Sequence, residues 1–225
     1  MSLLAYAFAE THADAIDGVG LEEQPLMAIE DDGVALVASR HASGPPAPTA
    51  EALWRYEEIV ERLMAHQAIL PARFGTILAD EDEARSALCA RRDDLRRGLD
   101  RVRGAVELGI RATWSDAPAP PTAHSGTEYM LGRLDVHRRA QRAADLVAPL
   151  GALARDSKVK VLPRPSVPLM AAYLVDRDRT EEFVARAAEL SADFQDGQLL
   201  CTGPWPPYSF VQGATLDREL QGERS

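Results

Sequence analysis

The residues that most often carry chemistry are few in this chain and poorly spaced for it. Its five histidines, His12, His41, His66, His124 and His137, stand apart from one another. Asp135 and His137 are two positions apart, which on a helix puts them on different faces. Each histidine is therefore expected at the surface, with neither a carboxylate partner nor a second metal ligand. Cys89 and Cys201 are too distant in sequence for a redox or metal pair, and both are expected as buried or half-buried thiols. The only lysines are Lys158 and Lys160, and neither follows a glycine, so no Walker-type phosphate loop exists. Gly18-Val19-Gly20 lacks the third glycine of a dinucleotide turn, and Glu23 stands in its place. HExxH, GxSxG and CxxC are absent. These patterns predict a protein that is not an enzyme, with no catalytic residue, no metal and no cofactor.

The composition narrows the class further. The 225 residues are 46% hydrophobic and 27% charged, which suits a soluble globular protein. A net charge of −10 argues against a nucleic-acid partner. No apolar run approaches the roughly 20 residues of a membrane span. The N-terminus lacks the basic start of a secretory signal, so an intracellular, cytoplasmic protein without membrane contact is expected. The arginines between Arg91 and Arg103 alternate with Asp93, Asp94 and Asp100, a pattern typical of a solvated, ion-paired helix face.

Around these residues the chain predicts an α+β protein of two small units. Leu3 to Ala9 reads as a strand, and Leu26 to Val37 as two strands around an Asp31-Asp32-Gly33 turn. Thr49 caps a helix with apolar positions at Leu53, Tyr56, Val60, Leu63 and Met64. Asp80 and Glu83 form a capping box before a long helix that Gly104 ends, and Ala105 to Trp114 alternates as a half-buried strand. Beyond a proline-rich stretch, Ser125 with Glu128 and Asp178 with Glu181 repeat the capping pattern. They open two helices, with strands at Val159–Leu162, Leu169–Val175 and Gln198–Thr202. The expected division is an N-terminal antiparallel sheet with helices at 1–114, a linker at 115–126, a modified ferredoxin-like unit at 127–213 and a polar tail at 214–225.

Two segments are more than filler. Leu70-Pro71-Ala72-Arg73-Phe74-Gly75-Thr76 packs a fixed-φ proline, a fork-shaped cation, an aromatic and a glycine into a strand edge. Cys201-Thr202-Gly203-Pro204-Trp205-Pro206-Pro207-Tyr208-Ser209-Phe210 sets three aromatics among three prolines. The second is either a flap packed on its own core or a stiff aromatic surface offered to a partner.

These two strings, with Val106-Glu107-Leu108-Gly109-Ile110 ending in Trp114 and Ala171-Ala172-Tyr173-Leu174-Val175-Asp176 between them, resemble the landmarks of the gas vesicle GvpF/GvpL family. The resemblance runs from the first strand to Phe210. One departure is Arg133, where lysine is common in the family. The resemblance implies a minor structural component or assembly factor of gas vesicles, located with them in the cytoplasm. Its partners would be the hydrophobic shell protein and other accessory gas vesicle proteins. Arg73, Phe74, Gly75, Glu107, Trp205, Pro206, Pro207, Tyr208 and Phe210 become candidate motif or partner-contact positions. The competing reading is a regulatory protein that binds a small molecule in its ferredoxin-like unit.

Overall fold

The computed structural model describes residues 1–11, 18–42, 44, 46–114, 125–161, 169–195 and 197–211. Most of the expected linker, the proline segment at 162–168, the polar tail, His12 and His124 lie outside the described residues.

The first unit holds β1 (Ser2–Glu10), β2 (Leu26–Asp31), β3 (Val34–His41), α1 (Ala50–His66), β4 (Ile69–Pro71), β5 (Ile77–Leu78) and α2 (Glu81–Val102). Its sheet runs β2-β3-β1-β4, with β5 also pairing β1. Every residue from Leu3 to Ala9 is buried, so this central strand is covered on both faces. The β2–β3 hairpin closes at Asp31 opposite Val34. Asp32 and Gly33 both take positive φ (42° and 83°), the two-residue turn that matches the twist of a hairpin.

Local capping follows the sequence. Thr49 Oγ1 accepts the Ala52 N–H at 3.1 Å, and Asp80 Oδ1 accepts that of Glu83 at 2.9 Å. Such caps satisfy backbone donors that the first helical turn leaves without a partner. Arg85, Arg96 and Arg97 of α2, with Arg103 at its end, are exposed and ion-paired, as the charge pattern predicts for a solvated face. Arg92 pairs with Asp31, and Arg85 donates to the Glu30 carbonyl at 3.0 Å, so the helix is tied to the hairpin.

The second unit spans Ala105 to Trp205, and the first takes up the chain again from Pro206. This moves a boundary, because β6 (Ala105–Trp114) was expected in the first unit. It pairs antiparallel with β8 (Leu169–Asp176) and β9 (Gly197–Trp205), in the order β7-β8-β6-β9 with β7 at Asp156–Val161. With α3 (Gly126–Val147) and α4 (Thr180–Asp193), the order is β-α-β-β-α-β, that of a ferredoxin-like unit. The proline-rich stretch thus joins a strand to a helix inside one unit. The strand order places β6 in the middle of that sheet, where it supplies Leu108, Ile110, Ala112 and Trp114 to the core.

One cap differs from expectation. A 3-10 turn at Arg177–Arg179 precedes α4, whose first turn has no side-chain cap, so Asp178 does not start the helix. Phe194, expected on the helix, is the buried residue that ends it.

Candidate functional site

The Leu70–Thr76 string is a bulge in a sheet edge. β4 and β5 both pair with β1, Pro71 opposite Ala7 and Ile77 opposite Leu4, so five residues stand where β1 has two. The extra chain is thrust outward. Gly75 takes φ +82°, and Thr76 closes the turn by donating its N–H (3.1 Å) and hydroxyl (2.8 Å) to the Arg73 carbonyl. Arg73 is exposed, while Phe74 turns its ring edge-on to Tyr56 of α1 at 5.3 Å.

Tyr56 is the hinge of this packing. Its hydroxyl lies 2.9 Å from the Ala5 carbonyl and 3.0 Å from that of Ala72, joining the central strand to the bulge. Its ring stacks on Tyr6 at 5.1 Å. Burial raises the pKa of both phenols, so both stay protonated as donors.

The next residue of α1, Glu57, accepts the Tyr208 hydroxyl at 2.7 Å. Desolvation raises the carboxyl pKa of Glu57, and the Tyr208 phenol is raised by its own burial and by that carboxylate. Phe210 is buried, with the Arg101 guanidinium 5.9 Å from its ring centre. Pro206 and Pro207 are buried as well. The C-terminal string therefore divides: Pro206, Pro207 and Phe210 turn into their own chain, Tyr208 is half-buried, and Trp205 remains 38% exposed.

In the second unit Glu107 and Trp205 stand opposite each other across β6 and β9, beside an irregularity in register. Gly203, at φ +110°, lies in that irregularity. A Cβ there would sit 2.7 Å from the Glu107 carbonyl oxygen, so a larger residue would push the strands apart.

The first unit also holds a buried polar chain that was not anticipated from the sequence. His41 is 3% exposed, which corrects the expectation of a surface histidine; His66 and His137 are exposed. Its Nε2 lies 2.9 Å from Ser39 Oγ, and its Nδ1 lies 3.1 Å from Glu22 Oε2. Ser39 Oγ lies 2.8 Å from Tyr6 Oη, which accepts the Leu21 N–H at 2.8 Å. One donor order satisfies every member: Leu21 N–H to Tyr6, Tyr6 to Ser39, Ser39 to His41 Nε2, and His41 Nδ1–H to Glu22. The serine, histidine and glutamate stand in the order of a hydrolase triad, yet Ser39 is fully buried and its hydroxyl is already engaged by Tyr6. The arrangement holds β1 and β3 to the Leu21–Glu23 turn. Ser39 and His41, two apart on a strand, share a face, and that was the available signal.

Beside this turn lies an open cleft of about 740 Å³, lined by Glu22, Glu23, Glu51, Glu58, Arg55 and Trp54 among others. Trp54 is 71% exposed, and its neighbour Leu53 is exposed too. Among the described residues no cluster of histidine, cysteine or acidic side chains could hold a metal ion, and no helix is long and apolar enough to cross a membrane.

Comparison with known proteins places this architecture. The profile of the family "Gas vesicle synthesis protein GvpL/GvpF" matches residues 2–212. Gas vesicle protein L of a Streptomyces species is 32% identical over 192 residues, covering 75% of this chain and 71% of the relative. Gas vesicle protein F2 of Halobacterium salinarum is 28% identical over 169 residues, covering 74% and 70%. The crystal structure of the gas vesicle protein GvpF from Microcystis aeruginosa superposes with a TM-score of 0.79 at 18% identity, covering 94% of this chain and 99% of that one. The bulge, the central β6 and the returning C-terminal segment are thus set within a fold common to GvpF structures, and the chain belongs to the gas vesicle GvpL/GvpF family.

Proposed function

We propose that this chain is a gas vesicle assembly factor that binds the hydrophobic shell protein and keeps it from aggregating until a vesicle nucleates. The observation that carries the reading is the family match across residues 2–212. Physical chemistry supplies the rest. A subunit that buries apolar surface in a polymer exposes that surface before assembly, where it is prone to aggregate. A partner with net charge −10 keeps a bound apolar protein in solution through its own charge. It acts by binding alone, in the cytoplasm beside the growing vesicle, together with other accessory gas vesicle proteins.

The contact surface we assign starts from the exposed aromatics. On the first unit, Trp54 and Leu53 of α1 stand beside the cleft, and Arg73 projects from the bulge that Phe74 and Gly75 shape. Trp205, partly open at the end of β9 in the second unit, is a separate candidate contact, set by the strand irregularity at Glu107 and Gly203. The ferredoxin-like interior, where a regulatory small molecule would be expected, is packed with Ile110, Tyr173, Phe183 and Leu199 and offers that reading no support.

The test is capture of the shell protein by the tagged chain in cells that express the gas vesicle proteins together. The wild-type chain should retain it, and Trp54→Ala should weaken retention by about tenfold, the loss of roughly 1–2 kcal/mol that a central aromatic supplies. No capture by the wild-type chain refutes the reading.

A further inference from the structure

Among the described residues, the helices of the second unit cover only one face of its sheet. On β6, β8 and β9 the residues that enter the core alternate with others pointing away, and in the row through Met170 burial separates the sets: Ile110, Ala171 and Leu199 are buried, whereas Arg111, Met170 and Leu200 are exposed; farther along β8 the outward Leu174 is buried. Register then fixes their order across the strands. Lys160 stands opposite Met170, Met170 opposite Arg111, and Arg111 opposite Leu200. The outer face thus carries a row that alternates cation, apolar, cation, apolar. Met170 is 42% and Leu200 52% exposed.

Arg92, Arg103, Arg139, Arg155, Arg179 and Arg186 all pair with carboxylates. Arg111 and Lys160 have no carboxylate partner among the described residues. In a protein of net charge −10, two unmatched cations on one sheet face, interleaved with exposed apolar side chains, are complementary to a partner that is acidic and apolar in the same rhythm.

We infer that this face docks an acidic amphipathic helix of a partner protein, lying across the strands. The spacing specifies the helix. Strands lie about 4.8 Å apart, so the cations are about 9.6 Å apart along the row. Seven residues of helix rise about 10.5 Å. Carboxylates at positions i and i+7 meet Lys160 and Arg111, and the flexible cationic side chains absorb the difference. Apolar residues at i+4 and i+11 meet Met170 and Leu200. Ala172 and Gly109 in the neighbouring row are small and keep the face low beside it. A nucleic acid fits less well, because this row has no aromatic for base stacking. The inference stands apart from shell-protein binding, and its test uses neither that protein nor a vesicle.

The experiment is fluorescence anisotropy of the full chain with a labelled helical peptide carrying glutamate at i and i+7 and leucine at i+4 and i+11. A control peptide keeps the composition but shuffles the register. The first peptide should bind at least about tenfold more tightly than the control, and added salt should weaken it. Lys160→Glu, on an edge strand, and Arg111→Gln, which removes charge without reversing it, should each weaken binding by about tenfold with unchanged circular dichroism. Equal binding of both peptides, no binding of either, or indifference to both variants overturns the inference. So does tighter binding of a single-stranded oligonucleotide, or self-association in sedimentation that Lys160→Glu abolishes, since the face would then take a different occupant.

Discussion

Tyr6→Phe tests the buried polar chain most sharply, because it removes one oxygen and leaves the ring stacked on Tyr56. That oxygen makes two hydrogen bonds of 2.8 Å, to Leu21 N–H and to Ser39 Oγ. Leu21 is 3% exposed and Ser39 fully buried, so water does not readily replace either bond. The Leu21 N–H is left without an acceptor, at a cost of about 1–3 kcal/mol. Ser39 keeps His41 and loses one further bond, about 0.5–1.5 kcal/mol. The first unit should therefore lose about 2–4 kcal/mol. Because the chain has two units, a single melting temperature mixes them, and the loss is better read by native-state amide exchange of β1 and β3. The Leu21 amide should lose protection most, since the turn at Glu22 and Glu23 has two non-glycine residues at positive φ (53° and 55°) and depends on its anchor. A change below about 0.5 kcal/mol, or a Leu21 amide as protected as before, refutes the argument that the hydroxyl holds the turn.

Three further outcomes follow from the same geometry. Phe210→Ala should destabilise the first unit by about 3–5 kcal/mol through the cavity it leaves, while Trp205→Ala, at a partly open position, should cost clearly less; denaturant titration of both variants compares them. Gly203→Ala should weaken the second unit by several kcal/mol, through its positive φ and the approach to the Glu107 carbonyl, and amide exchange in β6 and β9 should rise with it. Because burial raises the Glu57 pKa, the folded state holds that proton more tightly than the unfolded state. Stability of the wild type relative to Glu57→Gln should thus increase as pH falls through the carboxylate range, and a flat or opposite difference curve contradicts the assignment.

What the sequence disclosed is local, and what it hid is non-local. The Asp32-Gly33 turn and the caps at Thr49, Asp80 and Ser125 were legible because each acts within three or four residues. The membership of β6 was not. Its partners begin at Leu169 and Gly197, and the prolines after Trp114 read as a boundary although they lie within one unit. β3 was expected to end at Val37; the strand continues to His41, and the polar Ser39 and His41 are buried with partners contributed by β1 and the Leu21–Glu23 turn. For Tyr208 and Phe210, composition could not choose between a flap and a surface. The choice is made by Glu57 and Arg101, more than a hundred residues earlier, which anchor the segment to the first unit. Trp54 was passed over because the expected stripe of α1, Leu53, Tyr56, Val60, Leu63 and Met64, accounted for the helix without it; of that stripe Leu53 is exposed and the rest is buried.

Binding of the shell protein is tested most directly by light scattering. Shell protein diluted from denaturant scatters as it aggregates. With an equimolar amount of this chain present the scattering should be suppressed, and Trp54→Ala should restore much of it while leaving the fold intact. Unchanged scattering in the presence of the folded wild-type chain contradicts the proposed role.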